Sequence, residues 1–193
     1  MDSPQVQTRC WTRAEYDRLI EIGFFDEDEP IELLGGQLVV REPQYTPHAT
    51  GVRLADEALR RVFGTGWDIR AGLPLALDDE SEPEPDVCVV PGGPRTYRDA
   101  HPSRPVLVVE VALSSLAVDR RIKGSLYARA GILDYWIVNL PERQLEVHRS
   151  PIADAAASHG WHYADVQILR ADDSVLPLAA RAAATVAVAD LLP

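Results

Sequence analysis

Two acidic residues stand where buried strands should be apolar. Asp86 opens the run Val87 to Val90, and Glu110 interrupts the run Val106 to Leu113. Both runs carry the β-branched enrichment of core strands. A lone carboxylate costs several kcal/mol to bury ionised, so each must be paired, protonated or bound to a cation. If the two strands run antiparallel, the start of the first lies beside the end of the second. Asp86 and Glu110 then converge at one edge of the sheet, as a hard-cation site for Mg²⁺ or Mn²⁺. Asp119 and Lys123, four residues apart, share a face of the helix predicted next. Taken alone they read as a surface ion pair worth a few tenths of a kcal/mol. That helix follows directly on the strand bearing Glu110, however, so its first turns can lean over the carboxylates.

The elements that must position these groups follow from local signals. Thr12 and Glu15 have capping-box spacing, so a helix runs to about Ile22 and stops at Gly23. Ile31–Leu34 and Gln37–Val40 flank Gly35-Gly36 as a two-residue hairpin, with Glu32 in the first arm facing either solvent or the site. From His48 an amphipathic helix buries Val52, Ala55, Leu59, Val62 and Phe63, and Gly64 and Gly66 end it. Leu73, Leu75 and Leu77 alternate as a strand with one core face, and Pro74 implies an edge or a bulge. The acidic, proline-rich stretch from Asp78 to Pro85 reads as a loop delivering Asp86, and residues 91–105 as a second loop flanking a cleft.

Val118, Ile122, Leu126 and Ala130 form the stripe of the helix that follows, closed by Gly131. Tyr135 to Val138 is the next strand, reached by a parallel crossover. Leu145 to His148 and His162 to Leu169 are further strands, the first paired with Trp136, with residues 152–157 as the loop between them. Val175–Leu178 and Thr185–Val188 close the core, and Leu191-Leu192 docks the terminus.

These elements predict an α/β chain of the α+β type, with a central mixed β-sheet flanked by helices. Its 193 residues suit a single domain. Within it stand an N-terminal helix and hairpin (10–45), a core (46–150) and C-terminal strands (151–193). No run spans a bilayer and no basic-then-apolar leader opens the chain, so no membrane partner and a cytoplasmic location are expected. Cys10 and Cys88 are too few for a disulfide framework or a cysteine zinc site. There is no glycine-rich phosphate loop and no nucleophile elbow. The net charge of −11, with acid concentrated at residues 26–29 and 78–82, opposes a general basic footprint for nucleic acid. Arg120, Arg121, Lys123 and Arg129 are the one cluster that could face phosphates.

In order along the chain, Pro85-Asp86, the strand bearing Glu110 and then Lys123 resemble the PD-(D/E)xK nuclease superfamily. Within it, residues 10–150 are similar to the Uma-two family of restriction-endonuclease-like proteins. The resemblance is carried by Pro83 to Val90, Val106 to Ser114, Asp119 with Lys123, and Tyr127 to Asn139. Ile31 to Gly36 is close to the family's Glu-Leu-(Ile/Leu)-Asp-Gly turn, and Pro47-His48 matches its Pro-His at a helix start.

The resemblance implies a restriction-endonuclease-like fold and a metal-dependent endonuclease acting on DNA, with homodimers or higher homo-oligomers expected. It implies that Asp86, Glu110 and the Val111 carbonyl hold Mg²⁺ or Mn²⁺ and that Lys123 is the catalytic lysine. Glu32 becomes an additional acid near the metal, and His48 a group positioning phosphate or a metal-bound water. The chain departs from the pattern at Ala112, where the superfamily's Glu-x-Lys motif has lysine, and at Leu113-Ser114-Ser115-Leu116, where relatives have Ser-Pro-Ser-Thr. Gly35 stands where the family's turn has aspartate. Either Lys123 replaces the missing lysine from the helix or the site is dead. Two other readings therefore stay open: a catalytically silent binding homologue that keeps the fold, and a homo-oligomeric structural protein.

Overall fold

The computed structural model describes residues 8–26, 29–41, 45–181 and 184–193. Glu27 and Asp28 of the predicted acidic run lie outside them, as do residues 42–44 of the N-terminal unit. Helix α1 (Arg13–Glu21) begins as its sequence predicts: the Thr12 side chain accepts from the Glu15 amide, and the Glu15 carboxylate accepts from the Thr12 amide. Strands β1 (Ile31–Leu34) and β2 (Gln37–Val40) form an antiparallel hairpin. Its turn needs left-handed backbone at both Gly35 (φ 56°) and Gly36 (φ 79°), which glycine adopts without strain.

The main sheet has six strands in the order β3-β4-β5-β6-β7-β8. These are β3 (Trp67–Ala71), β4 (Val87–Pro91), β5 (Leu107–Ala112), β6 (Asp134–Asn139), β7 (Gln144–Ala153) and β8 (Trp161–Leu169). Only β5 and β6 pair in parallel; every other neighbour is antiparallel. Helix α2 (Thr46–Phe63) covers one face, packing Ala55, Leu59 and Phe63 on Val87, Val109, Val111 and Trp136. The opposite face buries Cys88, Val108, Tyr127, Tyr135 and Ile137. On the chain's helical crossover, α3 (Leu116–Val118) passes through a π-helical turn at Asp119–Lys123 into α4 (Gly124–Arg129). A small ladder, β9 (Ser174–Val175) with β10 (Val186–Ala187), precedes buried Leu191 and Leu192. No helix among the described residues is long and apolar enough to cross a membrane.

Four expectations need correction. Residues 73–77 are not a strand, and the edge of the sheet is β3. Gly72 turns the chain out of the sheet at φ 59°, and Pro74 has no N–H for a ladder. Leu75 and Leu77 instead donate to Pro83 O (2.9 Å) and Ser81 O (3.1 Å) in an irregular loop-back. The stripe predicted over 116–130 fails because positions four apart drift by about 40° per step around a helix of 3.6 residues per turn, and a π turn interrupts the segment. Val118 and Ala130 are exposed and Ile122 half-buried, whereas Asp119, Lys123 and Tyr127 turn inward. The 91–105 loop joins the ends of β4 and β5 remote from Asp86, so it does not flank the site. Finally, Ile152 and Ala153 belong to β7, and the turn begins after them.

Glu82 shows what the fold tolerates away from that site. Its amide joins Leu33 O at 2.8 Å, and the side chain is 4 % exposed, with Arg13 at 3.8 Å as its one ion-pair partner among the described residues. Burial, with Asp17 adding to it, pushes its pKa up from 4.5 to about 7. The folded state therefore holds this proton more tightly than the unfolded chain does. Glu82 costs nothing below pH 4.5, and its penalty grows until pH passes about 7. Glu82→Gln is expected to be about 1–3 kcal/mol more stable than wild type in mildly alkaline buffer. The difference should close at acid pH. Urea denaturation across that range checks it, and a pH-independent difference would refute the burial account.

Candidate active site

Register alone brings the two predicted carboxylates together. Val87 pairs with Val109 across β4 and β5, so Asp86, just before β4, lies beside Glu110 near the end of β5. Asp86 Oδ2 accepts from the Val111 amide at 2.7 Å and faces His48 Nε2 at 3.1 Å. His48 reaches it from the first turn of α2. That turn sits close to β5 because Gly51 has no side chain; a Cβ there would lie 2.9 Å from Val111 Cγ1. Glu110 is 3 % exposed, and its Oε1 accepts from Lys123 Nζ (3.1 Å) and the Tyr127 hydroxyl (2.7 Å). Glu32, 1 % exposed on β1, accepts from Lys123 Nζ at 3.4 Å and from the Glu84 amide at 3.1 Å. Five of the six residues named from sequence (Glu32, His48, Asp86, Glu110 and Lys123) thus line one cavity of about 400 Å³, and Val111 is not among its lining.

Val111 is fully buried. The Ala112 carbonyl is taken by the Leu140 amide across the parallel pair. Successive residues of a strand direct their backbone groups to opposite edges, so the Val111 carbonyl lies on the β4 side with its amide. The recorded pairing with β4 ends at Val87–Val109, short of Val111.

Three groups lining the cavity escape a sequence reading: Glu84, Arg41 and Asp119 as an inward acid. Arg41 bonds Glu84 at 2.8 Å and lies 3.7 Å from Glu32. Glu84 was discoverable only from its position two residues before Asp86; Arg41 had no signal at all. Taken alone, the sequence makes Lys123 a surface partner of Asp119. It is instead buried against Glu110 and Glu32, and Asp119 takes the Ser115 hydroxyl. The predicted phosphate-facing arginine cluster is dispersed. Arg120 is bidentate on Glu146 (2.8 and 2.6 Å), and Arg129 holds Asp78 (2.7 Å) and Ser81 (3.2 Å).

Five carboxylates therefore face two obligate cations, Lys123 and Arg41, in a largely desolvated space. Burial, then the neighbouring acids, pushes Glu110 well above the usual carboxylate range despite Lys123. Burial likewise raises Asp119 to about 6 and lifts Glu84. For Lys123 burial works downward, but Glu110, Glu32, Asp119 and Asp86 together overcome it and hold the ammonium above its ordinary value. The cavity is thus short of positive charge. The hydrogen bonds of Asp86 fall on Oδ2 and those of Glu110 on Oε1, so among the described residues Oδ1 and Oε2 are left without a donor. Such a donor set fits a hard divalent cation. No three acidic, histidine or cysteine side chains among the described residues converge as a preformed cage.

The model of the Uma2 family, described as "Putative restriction endonuclease", matches residues 13–189. The chain is similar in fold to a crystal structure from Anabaena variabilis described as a putative nuclease belonging to DUF820. The TM-score is 0.67 at 15 % identity, over 90 % of this chain and 96 % of that one. The restriction-endonuclease-like family and the mixed-sheet fold expected from sequence are both found. No curated protein matches the chain.

Removing Lys123 should expose the charge imbalance directly. Lys123→Met leaves Glu110 and Glu32 buried without their cation, and a loss of about 3 kcal/mol or more is expected at neutral pH. Adding Glu110→Gln to that variant should recover part of it. Denaturant titrations of the three proteins measure this; a Lys123→Met protein as stable as wild type would contradict the buried ion pair.

Proposed function

The chain belongs to the Uma2 family of putative restriction endonucleases, and on that premise we propose that it is a divalent-metal-dependent endonuclease hydrolysing phosphodiester bonds in DNA. One observation carries the reading: Asp86 and Glu110 meet at the ends of adjacent strands, each with one oxygen tied to protein donors and the other open to the cavity. These two, with the Val111 carbonyl, would hold Mg²⁺ or Mn²⁺. When bound, the ion supplies Lewis-acid charge and lowers the pKa of its water.

The chain's own residues do the rest. Lys123 supplies the cation missing at Ala112. An ammonium has three protons, and Glu110 and Glu32 take two, so the third is available to a phosphoryl oxygen or the attacking water. Because the surrounding acids keep Lys123 protonated, it acts by charge and donation rather than as a base. Glu32 anchors that ammonium and, through the Glu84 amide, ties the β1–β2 hairpin to the segment leading into Asp86. His48 and the Val111 amide hold one edge of the Asp86 carboxylate and so orient it. A short Lys123–Glu110 contact favours a live site over a silent homologue, since the lysine lost from the strand is restored from the helix at 3.1 Å.

Two measurements test the proposal. Mg²⁺ or Mn²⁺ should raise the melting temperature of wild type but not of Asp86→Asn. Supercoiled plasmid should be cleaved only with metal, and Glu110→Gln or Lys123→Arg should lower the rate by about 100-fold or more. Arginine fails in this account because its planar guanidinium does not fit a niche shaped for a compact ammonium. Lys123 is the chain's only lysine beside eighteen arginines. Full activity in Lys123→Arg would remove its assigned role, and identical melting with and without metal would remove the metal site.

A further inference from the structure

Two donors converge on a single oxygen of Glu110. Lys123 Nζ and the Tyr127 hydroxyl, one helical turn apart on the same face, both bond Oε1, at 3.1 and 2.7 Å. A carboxylate oxygen has two lone-pair sites, so Oε1 is fully engaged and only Oε2 remains for anything in the cavity. Lys123 is shared with Glu32 at 3.4 Å, whereas the Tyr127 proton goes to Glu110 alone. Tyr127 has little freedom to turn away. Its ring is fully buried and lies 5.1 Å from that of Tyr135, whose own hydroxyl is fixed on the Asp119 carbonyl at 3.0 Å.

The number of oxygens Glu110 can offer bears on which ion is accepted. Ca²⁺ takes six to eight oxygens at longer distances and readily uses both oxygens of one carboxylate. Mg²⁺ requires six at short distance and is served by one oxygen from each of one or two carboxylates. Resting on the metal-site reading above, we infer that Tyr127 is a positioning residue that limits Glu110 to one available oxygen and thereby makes the cavity select Mg²⁺ over Ca²⁺. Tyr127 is not itself a ligand, and it has no part in the reaction except through Glu110.

Tyr127→Phe removes one hydroxyl and keeps the ring, so it probes this role with every formal charge in place. Binding of Mg²⁺ and of Ca²⁺ is measured by calorimetry on wild type and on Tyr127→Phe, with circular dichroism to establish that the variant is folded. Wild type should prefer Mg²⁺. In Tyr127→Phe the Mg²⁺-to-Ca²⁺ affinity ratio should fall by about tenfold, the scale on which partners of metal ligands act. A residue that only stabilised the fold would weaken both ions alike and leave the ratio unchanged, which would overturn the inference. Equal affinity for the two ions in wild type would overturn it without any variant. Wild type that binds neither ion would instead sink the metal-site reading itself, and this inference with it.

Discussion

The buried ammonium of Lys123 is the group on which the arrangement around it depends. It is 7 % exposed and lies between Glu110 of the main sheet and Glu32 of the hairpin. Without it, two carboxylates that are 3 % and 1 % exposed would face each other across a desolvated space. The pair therefore does more than neutralise charge: it attaches the separate β1–β2 ladder to the six-stranded sheet through side chains. Arg41 extends that attachment by bonding Glu84 at 2.8 Å. A lysine whose protonation is secured by four acids is a fixed positive charge, and fixed charges in dry surroundings act more strongly than the same charges in water.

Strand β5 allocates its two faces to different work. Leu107, Val109 and Val111 pack into the core under α2, while Val108, Glu110 and Ala112 face the α4 side. The period-two alternation of a strand thus separates a purely hydrophobic layer from the one carrying the acid. Its backbone contributes as well, since the Val111 amide fixes Asp86. Both neighbours of this strand are needed: β4 brings Asp86 by antiparallel register, and the parallel crossover to β6 supplies the helix with Lys123 and Tyr127.

That helix carries a π turn at the side chains it delivers. The Gly124 amide bonds Asp119 O five residues back, and a Cβ on Gly124 would come within 3.1 Å of that same oxygen. Tyr135 supplies the second bond to the widened carbonyl, at 3.0 Å. Along this segment Asp119, Lys123, Leu126 and Tyr127 are buried, while Val118 is exposed.

Several features were legible from sequence because they depend on neighbours along the chain. The Thr12–Glu15 capping box, the Gly35-Gly36 turn and the valine-rich β4 and β5 are local signals, and each element is where they put it. The misfit of Asp86 and Glu110 within apolar runs was equally visible, since a buried carboxylate is conspicuous by its cost. The failures were of another kind. The strand expected at Leu73–Leu77 obeyed a good alternation, but Gly72 and Pro74 broke it, and Trp67–Ala71 took the edge although its Asp68 and Arg70 are polar. The Arg120–Arg129 cluster looked like a phosphate wall only because charge adjacent in sequence need not point the same way. Glu146 and Asp78, from distant segments, claimed two of those arginines. Sequence could nominate Glu32, His48, Asp86, Glu110 and Lys123 one at a time. Only the tertiary structure could bring Arg41 and Glu84 to them, seat Tyr127 on Glu110 and turn Lys123 inward, because those outcomes are set by packing between residues that the chain keeps far apart.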